Sequence, residues 1–185
     1  MLRFWMRVDP HVRRSIYASS EQKYGHLGKT TEEILGHAGT ERPVMILAAL
    51  NYRIRQKRDR RGESSLSTVE KRLWVLSQFD LAVGNLEFMG YFNSGTANDA
   101  PVALEALKVI DATNAVAILQ RAMAVFPSGK PPSDARKRRE IVEQIGGQAR
   151  EMWVTCNGEY FYDNETVYAL ALAHARKMRR EIVLR

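Results

Sequence analysis

The chain has 185 residues, 45% of them apolar and 26% charged, which fits one domain with a substantial core and excludes disorder throughout. No apolar run reaches the 18 or so residues a spanning helix needs, and the N-terminal MLRFWMRV is too short and too interrupted by Arg for a signal peptide, so a cytoplasmic protein without membrane contact is expected. A single cysteine, Cys156, excludes an internal disulfide and a multi-cysteine zinc site.

The net charge of +7 is unevenly spread. Residues 53–61 (RIRQKRDRR) sum to +5, residues 130–140 to +3 and residues 176–185 to +4, whereas residues 80–120 sum to −4. In sequence, the protein is electrically two-faced.

Apolar positions recur at three- and four-residue spacings almost throughout, which predicts an all-α fold, a compact bundle of about seven or eight helices. Residues 1–40 read as an irregular segment with a short helix around 11–18, then an exposed connector containing Gly25, Gly28, Gly36 and Gly39; residues 41–185 read as the helical domain. Within the connector, Glu33 and His37 sit four apart, a spacing that metal ligands use, but no third ligand accompanies them and a surface placement is expected. A helix is predicted from Glu41 to about Arg58, with Pro43 in its first turn and Val44, Leu47 and Ala48 inward.

Ser67-Thr68-Val69-Glu70 fits a capping box, and the helix after it is expected to run to about Val83. Its buried stripe of Val69, Leu73, Leu76 and Val83 is interrupted by Asp80, a carboxylate that must be hydrogen-bonded and that amides of the Gly84-Asn85 turn could serve. Asn98 or Asp99 can cap the next helix, with Pro101 in its first turn; Asp111 can cap a third, whose stripe Ala115, Leu119, Ala122, Met123 and Phe126 stops at Pro127. After a loop over 127–132, Ser133 can cap a basic helix with Ile141, Val142 and Ile145 inward, ending at Gly146-Gly147. A final helix is expected from about Asn164, with Val167, Leu170, Ala171, His174 and Met178 on one side and Tyr160, Phe161 and Tyr162 packing it to the core.

Residues 82–97, AVGNLEFMGYFNSGTA, carry the most specific pattern: Asn85 and Phe88, then Tyr91-Phe92, then Asn93-Ser94-Gly95 as a helix end and turn. This resembles the signature of the bacterial DNA-mimic-protein family, roughly Asn-Gly-Gly-Phe, Tyr-Phe and Asn-Ser-Gly, and the likeness extends over about Glu41 to Arg180. Leu86 and Glu87 depart from it, standing where the family has two glycines, which admit positive φ; Ala82 stands where the family tends to place a glutamate. The resemblance implies a helical, non-enzymatic domain that binds another protein. The family's best-known activity presents carboxylates in the pattern of DNA phosphates, and here only Asp80, Glu87, Asp99, Glu105 and Asp111 could supply a local version of it.

The expected partner-binding residues are Arg53, Arg55, Lys57, Arg58, Arg60, Arg61, Glu87 and Asp99; Asp80, Asn85, Phe88, Tyr91, Phe92, Asn93, Ser94 and Gly95 are expected to form a structural turn. The alternative is a nucleic-acid-binding module using segments 53–61 and 130–140, since clustered cations release counterions from a phosphate backbone. A +7 surface is expected to bind nucleic acid weakly and without sequence preference in either case. No nucleophile or base has a placed partner, so an enzyme is not expected, nor any cofactor or metal. Self-association as a homodimer stays open.

Overall fold

The computed structural model describes residues 19–184, so the helix expected around 11–18 lies outside the described residues. The fold is all-α. Residues 19–24 are helical, and seven further helices follow: α1 (Thr31–Gly36), α2 (Pro43–Arg61), α3 (Thr68–Asn93), α4 (Ala100–Val109), α5 (Thr113–Met123), α6 (Ala135–Gln144) and α7 (Gly147–Lys177). Among the described residues there is no strand, only an isolated bridge between Ala38 and Glu41.

The two longest helices, α3 and α7, form the axis of the bundle. They pack on each other, with α2, α4 and α6 also on α3, and α2 and α5 on α7. An aromatic column fills the space between them. Phe79 meets Tyr160 edge to face at 5.2 Å and Tyr91 at 5.3 Å; Phe92 stacks on Trp153 at 5.3 Å and meets Phe126 at 4.9 Å. Ring pairs at these separations add to the stabilisation that comes from burying the rings themselves. Trp153 also donates its indole Nε1–H to the Ala122 carbonyl at 2.9 Å, fixing α7 to α5.

Several helix starts differ from the sequence expectation. Ser67 and Glu70 do form the capping box, and so do Thr30 and Glu33, which begin α1 and bury Ile34 and Leu35 where an exposed connector was expected. Asp134, not Ser133, caps α6, accepting from the amides of Arg136 and Lys137. Neither Asp99 nor Asp111 caps through its side chain; Asp111 instead takes φ 60° just before α5 begins. The final helix starts at Gly147 rather than Asn164, and it includes the aromatic run: Tyr160 is buried, but Phe161 and Tyr162 are 70% and 87% exposed.

Residues 21–36 are tied to the bundle by polar contacts. Glu21 receives two hydrogen bonds from Arg53, and the Thr31 hydroxyl donates to the Ile182 carbonyl at 2.7 Å. Gly28 has φ 111°, and a Cβ there would lie 2.5 Å from that of Glu33, so this turn requires glycine.

Candidate functional site

The signature stretch holds a break within α3 before the helix ends at Asn93. α3 continues through Asn85, whose side-chain amide donates to the Leu81 carbonyl at 2.7 Å, and breaks only at Glu87, with φ 58° and ψ 178°. That is backbone space almost reserved for glycine. It coincides with one of the two positions at which the resemblance implied glycine. The chain turns helical again at Phe88, whose amide, released by the break, donates to Oδ1 of Asn157 on α7 at 2.8 Å. Leu86 lies close over Gly90, where a Cβ would come within 2.6 Å of the leucine's own.

Beyond the break the chain is anchored inward. Phe88, Tyr91 and Phe92 are buried in the aromatic column, and burial pushes the Tyr91 phenol far above its usual value. Asn93 closes α3; the Ser94 hydroxyl donates to the Tyr91 carbonyl at 2.7 Å, and Gly95 opens a short 3-10 turn over Gly95–Asp99. The turn is held by Arg138, a residue of the basic segment 130–140 that is fully buried. Its guanidinium donates to the carbonyls of Phe92 (2.6 Å), Ser94 (2.7 Å) and Pro132 and to Asn98 Oδ1 (2.9 Å). Desolvation is the main influence on its charge and acts to lower its pKa. The basic segment 130–140 reads as a run of surface cations, and three of Arg138's partners, the Phe92 and Ser94 carbonyls and Asn98 Oδ1, lie 40 to 46 residues away and leave no local signal.

Asp80 is satisfied differently from the expectation. No turn amide reaches it; Tyr168 donates to one carboxylate oxygen at 2.9 Å and Tyr160 to the other at 3.2 Å. Burial raises its pKa against the opposing effect of these two hydrogen bonds. Two of the acidic residues considered for a phosphate-like row are therefore occupied, Asp80 by the tyrosines and Glu105 by Lys108 at 2.7 Å; Glu87, Asp99 and Asp111 are exposed.

The basic run on α2 divides into inward and outward cations. Arg53 is buried against Glu21 and the Gly28 carbonyl. Lys57 reaches Glu70, which is fully buried and also accepts from the amides of Ser67 and Val183. Arg55 lies 3.9 Å from Asp59, and Arg58 contacts Asp59 and covers the Trp74 ring at 4.1 Å. Arg60 and Arg61 are exposed.

The outer side of the α3 break is apolar and acidic. Of the eight large hydrophobic residues exposed among the described residues, six fall in two segments, Leu81, Leu86 and Met89 on α3 and Val154, Phe161 and Tyr162 on α7. Residues 81–89 and 151–165 together hold Glu87, Glu151, Glu159, Asp163 and Glu165 and no Lys or Arg. Val154 and Phe161 share a helical stripe with Asn157, the residue that meets Phe88, so the two segments adjoin. Two of the carboxylates have cationic neighbours: Glu159 pairs with Arg121, and Glu165 with Arg42 at 2.6 Å.

Among the described residues, catalytic groups do not gather. Cys156 is buried beside the Ile118 carbonyl, and burial pushes its thiol up, away from the reactive thiolate. Glu33 serves its capping box, and no cluster of His, Cys, Asp and Glu able to hold a metal occurs among the described residues.

A break in α3 at Glu87, an aromatic column and a clamped Ser94 turn characterise this helical domain. The family model described as DMP19-like protein matches residues 64–178, more than half of the chain, and the chain belongs to that family. No curated protein and no solved structure matches it.

Proposed function

We propose that this chain is a non-enzymatic protein-interaction domain that docks a basic protein surface on the outer side of the α3 break and the adjoining half of α7. The observation that carries this reading is the joint concentration of exposed apolar side chains and of five carboxylates with no Lys or Arg on segments 81–89 and 151–165, in a protein whose net charge is +7. Scattered apolar residues need no explanation, but clustered ones mark contact surfaces. An acidic rim steers a basic partner and rejects nucleic acid.

Membership of the DMP19-like family supports an interaction role, and the buried, proton-retaining Cys156 supports a non-enzymatic one. The inward positions of Arg53, Lys57 and Arg138 count against segments 53–61 and 130–140 as a continuous phosphate-binding surface.

Affinity capture from nuclease-treated extract of the source organism tests the proposal. Wild-type protein should retain a basic protein, Phe161→Arg should lose it, and the pair Arg60→Glu and Arg61→Glu should keep it. Capture that vanishes with nuclease, or that needs Arg60 and Arg61 but survives Phe161→Arg, would transfer the function to nucleic-acid binding.

A further inference from the structure

An open groove of about 430 Å³ runs between α5 and α7, and its α7 wall belongs to segment 151–165. Asn114, Ala117, Ile118 and Arg121 line it from one face of α5, and Glu159, Tyr162 and Asp163 from one face of α7. Its two carboxylates are differently placed. Glu159 is held by Arg121, whose guanidinium also lies 3.8 Å from the Cys156 sulfur, so the cation in the wall is already matched. Asp163 is half-buried and has no cationic partner among the described residues; it accepts only from Asn114 Nδ2, at a long 3.4 Å. That contact leaves the Asn114 side-chain oxygen as a second acceptor beside the carboxylate. Tyr162, largely exposed, supplies an aromatic wall, and Ala117 and Ile118 add apolar surface.

We propose that this groove takes an arginine side chain, its guanidinium donating to the Asp163 carboxylate and Asn114 Oδ1 and lying against the Tyr162 ring. The inference rests on the docking reading above, under which the arginine belongs to the basic partner. One carboxylate in excess of cations selects a positive side chain. Two neighbouring acceptors beside an aromatic ring suit a planar fork better than the single ammonium of lysine. The methylene stem covers Ala117 and Ile118, as long cationic side chains do on apolar surface.

The first arm of the test needs no partner: the full chain, isotope-labelled, is titrated with the N-acetyl amides of arginine, lysine, citrulline and glutamate while its NMR amide signals are followed. The arginine derivative should shift signals of residues 114–121 and 159–163 and bind about fivefold more tightly than citrulline, its uncharged isostere, which is the upper end for an accessible ion pair. Lysine should fall between the two. Asp163→Asn should bring arginine to citrulline's level, and Tyr162→Ala, at an exposed position, should weaken it about threefold. Thermal melts establish that each variant is folded; if Asp163→Asn does not fold, Tyr162→Ala decides, and an unchanged arginine affinity in it overturns the proposal. Arginine binding no better than citrulline or lysine, or no shift in the groove, also overturns it, as does tighter binding of glutamate, which would assign the groove to Arg121 and an anion. In the second arm, capture from extract, Asp163→Asn should weaken retention of the basic protein. If the arginine derivative fails to bind while wild type still retains a basic protein that Phe161→Arg loses, the groove falls and the docking reading stands. Arginine binding in the groove with no protein captured sustains the site and sinks the docking reading.

Discussion

Glu87 holds a conformation that suits glycine, and the strain is local, because its side chain is exposed and its φ of 58° is imposed by the helix break around it. Such a conformation costs a non-glycine residue about 1–3 kcal/mol, partly offset in a glycine variant by the extra freedom of its unfolded chain. Glu87→Gly should therefore stabilise the protein by about 1 kcal/mol, raising Tm by about 2–4 °C. Leu86→Gly, at the other position where glycine was implied but in helical backbone, should cost about 1 kcal/mol instead. Equal effects at both sites would show that φ at Glu87 is not the cause. Arg138 makes the opposite prediction. Replacing it with Met strands four oxygen partners, that of Phe92 buried and the others partly so, and should cost about 3–5 kcal/mol by urea unfolding, and Arg138→Lys, which keeps the charge but not the fork, should recover less than half of that. Asp80 sets a pH effect with a definite sign. Its folded pKa is raised above 3.8, so the folded state holds the proton more tightly than the unfolded chain, and the contribution present at low pH is lost as pH rises through the folded value. The stability of wild type relative to Asp80→Asn should thus fall as pH rises from just below 4, read from urea midpoints; a difference that grows more favourable with pH would reverse the assigned cause.

Helices show which signals the sequence made legible. The capping box at Ser67, the proline-led start of α2 and the stop of the α5 stripe before Pro127 are local patterns, and each was readable because the hydrogen bonds it implies lie within one turn. The Thr30 box carried the same Thr-x-x-Glu spacing and could have been found. The continuity of α3 and α7 was not legible. α7 begins well before the expected Asn164 and runs through Asn157-Gly158, where Gly158 faces open space and Asn157 spends its side chain on α3. The same bond explains why α3 breaks where it does and stays joined, since Asn157 accepts from the amide that loses its helical partner. Asn157→Ala should cost about 1–3 kcal/mol and speed hydrogen exchange at the Phe88 amide; exchange unchanged there would mean that water or backbone replaces the contact. Of the site, the signature aromatics were legible as core, whereas the exposed Phe161 and Tyr162 were not, because a helix longer than expected rotates them away from the bundle.

At the scale of the molecule, charge is redistributed by folding rather than by composition. Arg53, Lys57 and Arg138 are spent on Glu21, Glu70 and main-chain oxygens, so part of the +7 is unavailable to a polyanion at contact distance, although it still contributes to the long-range field. Counterion release counts contacts: the logarithm of the affinity for duplex DNA falls with that of salt at about 0.9 per phosphate neutralised. The protein should accordingly bind DNA weakly, and changing Arg60 and Arg61 to Glu should flatten the salt slope by about two units at most, without a large shift in Tm. Arg53→Ala should do the reverse, lowering Tm through the loss of its Glu21 and Gly28 partners while leaving the slope nearly unchanged. Fluorescence anisotropy of a labelled duplex across a salt series, with melting curves of the same variants, separates the two effects. A slope that drops equally for Arg53→Ala and for the Arg60 and Arg61 pair would mean that the inward arginine turns out to meet phosphate, and the division of the α2 cations would fail.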